Sequence, residues 1–145
     1  MEVRLARPHR VALAVSVASI GLFAAAGARA SEPDWDKVAG VGTIQVITHD
    51  EDGAARETKI WLAVVDGQGF IRTGDTHWGK NIRRNPADVV LRIEGKEYPL
   101  RAEFIENDKL RERVVAAFRA KYGWFDGFVN FVRGSHPNIM HMISR

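Results

Sequence analysis

The sequence contains no cysteine, which excludes disulfides, thiolate metal sites, iron–sulfur clusters and thiol nucleophiles. Serine is scarce beyond residue 30. Only Ser31, Ser135 and Ser144 remain, none in a Gly-x-Ser-x-Gly setting, so a Ser-His-Asp hydrolase has no support. His49, His77, His136 and His141 are scattered and no His-Glu-x-x-His occurs, which removes the usual zinc hydrolase pattern. Each histidine reads as a surface or hydrogen-bonded residue, a haem ligand being the alternative. Repeats, low-complexity tracts and internal linkers are also missing.

A long apolar run occurs once. Val11 to Ala26 is almost wholly Val, Ala, Leu, Ile and Phe, preceded by Arg4, Arg7 and Arg10 and followed by the small-x-small site Gly27-Ala28-Arg29-Ala30. This is the pattern of a secretory signal peptide cleaved after Ala30, and the run is short and Ala-rich for the alternative, a membrane anchor. There is no twin-arginine pair, so export in the unfolded state through the general pathway, to the periplasm or the medium, is expected. Charge of one sign is lacking as well. Four of the 21 Lys and Arg and one of the 18 Asp and Glu lie in the first thirty residues, leaving 17 of each. A formally neutral mature chain gives no argument for nucleic acid or an anionic membrane as partner. Its 115 residues are one domain's worth.

What is present is mostly β pattern. Residues 31–42 read as a polar lead-in with Trp35 and Val38 as its docking side chains. Thr43 to His49 alternates, with Ile44, Val46 and Thr48 on one face, and ends in the turn-forming Asp50-Glu51-Asp52-Gly53. Arg56 to Val65 carries six apolar residues in succession from Ile60, which predicts a central strand covered on both faces. Asp66 to Gly69 is a tight turn into a short strand, Phe70 to Thr73. Val89 to Ile93 and Glu97 to Glu106 form a further hairpin through Glu94-Gly95-Lys96, and Pro99 favours a strand edge or a bulge. Leu110, Val114, Val115, Phe118 and Tyr122 recur at helical spacing between a cap at Asn107 or Asp108 and Gly123, as a core-facing stripe does. Trp124 to Val132 reads as a second apolar turn or short helix, Arg133 to Pro137 as a loop and Asn138 to Ile143 as a closing strand. Short antiparallel strands with a helical turn after the third and a longer helix after the fifth predict a small β-barrel with helical decoration.

The richest stretch is Gly69 to Pro86, GFIRTGDTHWGKNIRRNP. A strand runs into Gly74-Asp75-Thr76 and then a helical turn stopped by Asn85-Pro86, an order that leaves backbone N–H groups and a favourable dipole for an anion such as a phosphate. Asp75 or Thr76 is placed to cap this helix and Lys80 adds a point charge one turn in, although the Asp75 carboxylate competes for the same helix end. Lys80, Arg83 and Arg84 read either as ligands or as a solvated helix face. Trp61 and Trp78 read either as stacking platforms or as packing.

The series Arg56-Glu57-Thr58-Lys59-Ile60-Trp61, Ile71-Arg72-Thr73-Gly74, Trp78-Gly79-Lys80-Asn81-Ile82-Arg83-Arg84-Asn85-Pro86 and Val89-Val90-Leu91 resembles the flavin-binding split-barrel superfamily. That group holds the pyridoxamine-phosphate-oxidase-like proteins and deazaflavin-dependent nitroreductases, whose helix often reads Trp-Tyr-x-Asn-Leu-x-x-Asn-Pro. The resemblance covers most of Ile44 to Phe104. It implies a mainly β fold, a six-stranded antiparallel split barrel over residues 43–145. It further implies a homodimer and an oxidoreductase that holds FMN or deazaflavin at the subunit interface, with the substrate unspecified. By position, Thr73, Gly74, Thr76, Trp78, Lys80 and Asn81 would form the phosphate shell, and Lys59 and Trp61 would face the ring. Gly79 replaces the usual aromatic, and the Ser-Arg-Lys cluster of the oxidase subgroup is missing, which argues against pyridoxal-type activity. The alternative is an exported, non-enzymatic binding barrel that holds haem, another flat anionic ligand or no cofactor.

Overall fold

The computed structural model describes residues 31–123 and 137–145. The expected signal segment up to Ala30, the apolar run Trp124 to Val132, most of the Arg133–Pro137 loop and His136 lie outside the described residues. Helix α1 (Trp35–Val38) precedes strands β1 (Ile44–His49), β2 (Ala55–Ile60), β3 (Ala63–Val65) and β4 (Gln68–Thr73). Helix α2 (His77–Arg84), strands β5 (Val89–Ile93) and β6 (Lys96–Phe104), helix α3 (Asp108–Tyr122) and strand β7 (Asn138–Ser144) follow. Among the described residues no helix is long and apolar enough to cross a membrane.

All seven strands join one antiparallel sheet in the order β2-β1-β5-β6-β7-β4-β3. Its edges, β2 and β3, are separated in the chain only by Trp61 and Leu62. Three residue steps reach about 10 Å at most, so the sheet has to curl until its two edges come together. The chain itself bridges the split.

This corrects two expectations. Arg56 to Val65 is two edge strands and not one central strand, which raises the strand count from six to seven. The run is apolar throughout because it changes sides: Leu62 is fully buried among the residues filling the barrel, whereas Ala63 packs outside it beneath α3. Pro99 sits in an interior strand. It pairs with Val90 of β5, but the β6–β7 ladder begins only at Leu100 and Ser144, so its missing N–H falls at a local edge.

The turns follow their chemistry. Asp66-Gly67 and Glu94-Gly95 each place two successive residues at positive φ (52° and 69°; 50° and 82°), as two-residue hairpins require. Ile44, Val46, Ile71, Leu91, Leu100, Met140 and Met142 fill the barrel, and Trp35, Trp78 and Ile82 of α1 and α2 complete that core. Helix α3 lies on the outside. Its stripe meets Ala63, Phe70 and Ile139, with Val114 and Phe118 fully buried. Asn107 caps its start by accepting from Leu110 N–H at 3.0 Å, and Gly123 at φ 68° ends it.

Candidate functional site

Strand β4 delivers Thr73 to the start of α2. Thr76 has the extended conformation of an N-cap, and its hydroxyl accepts from Gly79 N–H at 3.1 Å. The Thr76 and Thr73 hydroxyls lie 2.6 Å apart, and Thr73 donates to Gly74 O at 3.2 Å. Since Thr73 spends its proton on Gly74, the shared bond runs from Thr76 to Thr73, and a single directional chain links the helix start to the strand end. Thr76 N–H bonds Gly74 O, which leaves the first-turn amides of His77 and Trp78 without an acceptor among the described residues. These two N–H groups are the available anion donors.

Gly79 is the reason the chain fits. A Cβ there would lie 2.8 Å from Thr73 Cγ2, 2.9 Å from Thr73 Oγ1 and 3.0 Å from Thr76 Oγ1. No larger side chain, and no aromatic, can occupy this helix position while α2 rests on β4. The glycine at position 79 is therefore a close-packing requirement of this chain.

The expected phosphate shell divides. Gly74, Thr76 and Lys80 lie at the partly open surface of the turn, and Thr73 is just beneath it, buried. Trp78 and Asn81 face the other way. Trp78 is buried in the barrel core, on the packing side of its two readings. The Asn81 amide donates to Thr48 Oγ1 at 3.1 Å and Asp50 Oδ1 at 2.7 Å, and its oxygen accepts from Arg84 at 3.1 Å, so its bonding capacity is used inside the chain. The Arg56 guanidinium binds the same Asp50 carboxylate through two nitrogens, at 2.9 and 2.8 Å. Arg56 first, and Asn81 second, hold the Asp50 pKa down at about 2. Arg84 also donates to His49 O and pairs with Glu51, which ties α2 to the β1–β2 turn, while Arg83 stays exposed. At the helix mouth, Lys80 pairs with Asp75 at 3.2 Å, both side chains largely exposed. Asp75 thus meets the lysine and not the helix cap.

The two expected ring-facing residues stand apart from each other. Lys59, exposed on edge strand β2, lines a shallow 260 Å³ groove with Gln45, Arg92 and Gly95. Trp61, in the crossover, lies parallel to Tyr122 of α3, with ring centroids 4.4 Å apart and planes 7° apart. The Arg72 guanidinium lies over the Phe118 and Trp61 rings at 4.5 and 5.5 Å, and burial lowers its pKa to about 10. Sequence reasoning passed over Arg72 and Tyr122. Both were visible as strand and helix residues, but their meeting depends on α3 packing over β3 and against the outer side chains of β4, which no local pattern encodes.

No protein-family model matches the sequence, and no curated protein matches it. Solved structures do. ChuZ from Campylobacter jejuni superposes with TM-score 0.63 at 13% identity over 74% of this chain and 50% of that one, so the chain spans half the length of ChuZ. HutZ, the haem storage protein from Vibrio cholerae, superposes with TM-score 0.61 at 16% identity over 79% and 89% of the two chains. An F420-H2 dependent reductase superposes with TM-score 0.56 at 15% identity over 70% and 94%. The chain shares the split-barrel fold of these structures. In this split barrel, α2 is inserted between β4 and β5 with its first turn at the end of β4 and its far end tied to the β1–β2 turn.

Proposed function

We propose that the mature protein, exported after loss of its first thirty residues, is a homodimeric split-barrel oxidoreductase that binds FMN or a deazaflavin. The observation that carries this reading is the start of α2, where the His77 and Trp78 amides have no acceptor among the described residues, Lys80 follows one turn in, and the turn is held by the Thr73–Thr76–Gly79 hydrogen bonds. A phosphate on the cofactor tail is the ligand such a turn suits. Gly74 gives backbone access beside it. Within this reading the barrel positions the ring and excludes water, and the cofactor supplies the hydride or electron transfer. The similarity to an F420-H2 dependent reductase supports the redox class. Titration of the purified mature protein with FMN and with a deazaflavin tests the proposal. Binding of either supports it, and binding of neither overturns it.

A second reading has its own observation. The haem storage protein HutZ shares the fold, and His141 of β7 is half-buried, stacked on Phe70 at 5.0 Å. Burial pushes the His141 pKa down, toward the neutral imidazole that coordinates iron. In this reading the protein is an exported haem-binding barrel without enzymatic activity. Hemin titration of the wild type and of His141→Ala separates the two: a Soret shift lost in the variant supports haem, and its absence in the wild type removes it.

A further inference from the structure

The last turn of α3 holds the barrel's split closed from outside. Lys121 Nζ donates to Val41 O at 2.6 Å and to Leu62 O at 2.8 Å, so one ammonium ties the entry to β1 to the β2–β3 crossover. The next residue does the same with an aromatic ring. Tyr122 lies flat on Trp61, and its phenol oxygen accepts from Leu62 N–H at 3.0 Å while its single proton is shared between Gly42 O at 2.7 Å and Leu62 O at 2.9 Å. At one point, therefore, the crossover presents a flat indole face, a backbone N–H and a backbone C=O. Arg72 adds positive charge beside the indole. A phenol meets this set with a single oxygen that serves as both donor and acceptor. A planar heterocycle with adjacent C=O and N–H groups on one edge meets it better, because each group pairs separately with Leu62 while the ring stacks on Trp61.

We propose that Trp61 and the Leu62 backbone form a binding slot for a flat ring with a lactam or imide edge, and that Tyr122 occupies this slot as an internal stand-in until the last turn of α3 lifts away. The proposal rests on the reading of the protein as a flat-cofactor binder and adds that entry to the ring site is controlled by α3. Two features make release feasible. Tyr122 and Lys121 are half-buried and not fully enclosed, and Gly123, at positive φ, ends the helix directly after them. Apparent ligand affinity is then the intrinsic affinity scaled down to the fraction of molecules in which Tyr122 has left the slot.

The test titrates riboflavin, which carries an imide-edged ring and no phosphate, into wild type, Tyr122→Ala, Lys121→Ala and the double variant Trp61→Ala/Tyr122→Ala, reading quenching of the riboflavin emission. Emptying the slot tightens binding about ten-fold in Tyr122→Ala, and loosening the turn tightens it by a smaller factor in Lys121→Ala. Removing the Trp61 platform in the double variant abolishes the gain. A folded Tyr122→Ala protein that binds riboflavin no tighter than wild type overturns the proposal. Should that variant not melt cooperatively, Lys121→Ala decides in the same way. FMN titration of the wild type tests the parent reading separately. FMN binding with no gain in the variants overturns the slot alone, whereas a riboflavin gain in Tyr122→Ala with neither FMN nor a deazaflavin binding to wild type or to that variant overturns the oxidoreductase reading alone.

Discussion

Gly79 of α2 lies so close to Thr73 of β4 that a single added methyl would stand 2.8 Å from the threonine Cγ2. The neighbour is the short, branched side chain of a buried residue and has no flexible end to swing away. Gly79→Ala gains roughly 1 kcal/mol of helix propensity and loses about 1–3 kcal/mol to overpacking. The expected outcome is a net loss of about 1 kcal/mol, read as a lower urea midpoint at unchanged m-value. Thr73→Ser removes the clashing methyl, so the double variant should lose less than the two single changes together. Additive losses would show that the contact does not set the helix position.

Gly69 is a second such seat. A Cβ there would lie 2.2–2.5 Å from three carbons of the Trp35 ring, which is closer than any adjustment of the indole within its pocket can absorb. Gly69→Ala should expel Trp35, and with it α1, while the strands persist. Among the described residues, Trp35 is held there by burial and by its indole N–H bond to Glu32 at 3.2 Å. Faster proteolysis around residues 31–42 with an intact far-ultraviolet spectrum is the expected signature, and unchanged protection would refute it.

How far these contacts were legible depends on the distance over which they are specified. Helix α2 was readable because its start and stop are local: Thr76 caps it and Asn85-Pro86 ends it. The α3 stripe was readable for the same reason, since 3.6-residue periodicity belongs to the segment alone. The Arg56–Val65 run was misread as one strand because Trp61-Leu62 carries no turn signal. It is a passage from one edge of a curled sheet to the other, and the demand for apolar side chains on both sides is the same as for a central strand. In the site, residue types gave Lys80 and Thr76 their places. The inward turn of Trp78 and Asn81 followed from which face of α2 meets the barrel.

Asp50 makes stability depend on acid. Its folded pKa, about 2, is below the ordinary carboxylate value because Arg56 and Asn81 bind the ionised form. The unfolded chain then takes up the proton first as pH falls, so this contribution is complete above about pH 4 and is lost progressively toward pH 2. Asp50→Asn should flatten the stability profile across that window. Its melting temperature should lie below wild type at pH 6 and approach it at the acid end, and a constant offset at all pH values would contradict the linkage.

His141 acts in a different window. Burial lowers its folded pKa, so the unfolded chain binds the proton more readily and stability falls as pH drops below the ordinary histidine value, about 6.5. His141→Gln removes this dependence if the imidazole on Phe70 is its source. Thermal melts between pH 5 and 7.5 measure it. A wild-type melting temperature that stays level across that range would assign the group no such role.

The pair at the mouth of α2 gives opposite predictions for its two members. Lys80 is an exposed cation one turn into α2, and Asp75 sits 3.2 Å from it. Because both side chains are largely exposed, their mutual attraction contributes little to stability, and neither substitution should move the melting temperature appreciably. Their effects on an anion should diverge. Lys80→Ala removes a charge-assisted contact and should weaken FMN by about five-fold, or roughly 1 kcal/mol. Asp75→Asn removes the competing carboxylate, frees the ammonium and should tighten FMN by a similar factor. Riboflavin, lacking the phosphate, should be indifferent to both. If FMN and riboflavin respond alike, the helix start is not the phosphate site, whatever holds the ring; if only FMN responds, with opposite signs for the two variants, the α2 turn is where the anion is bound.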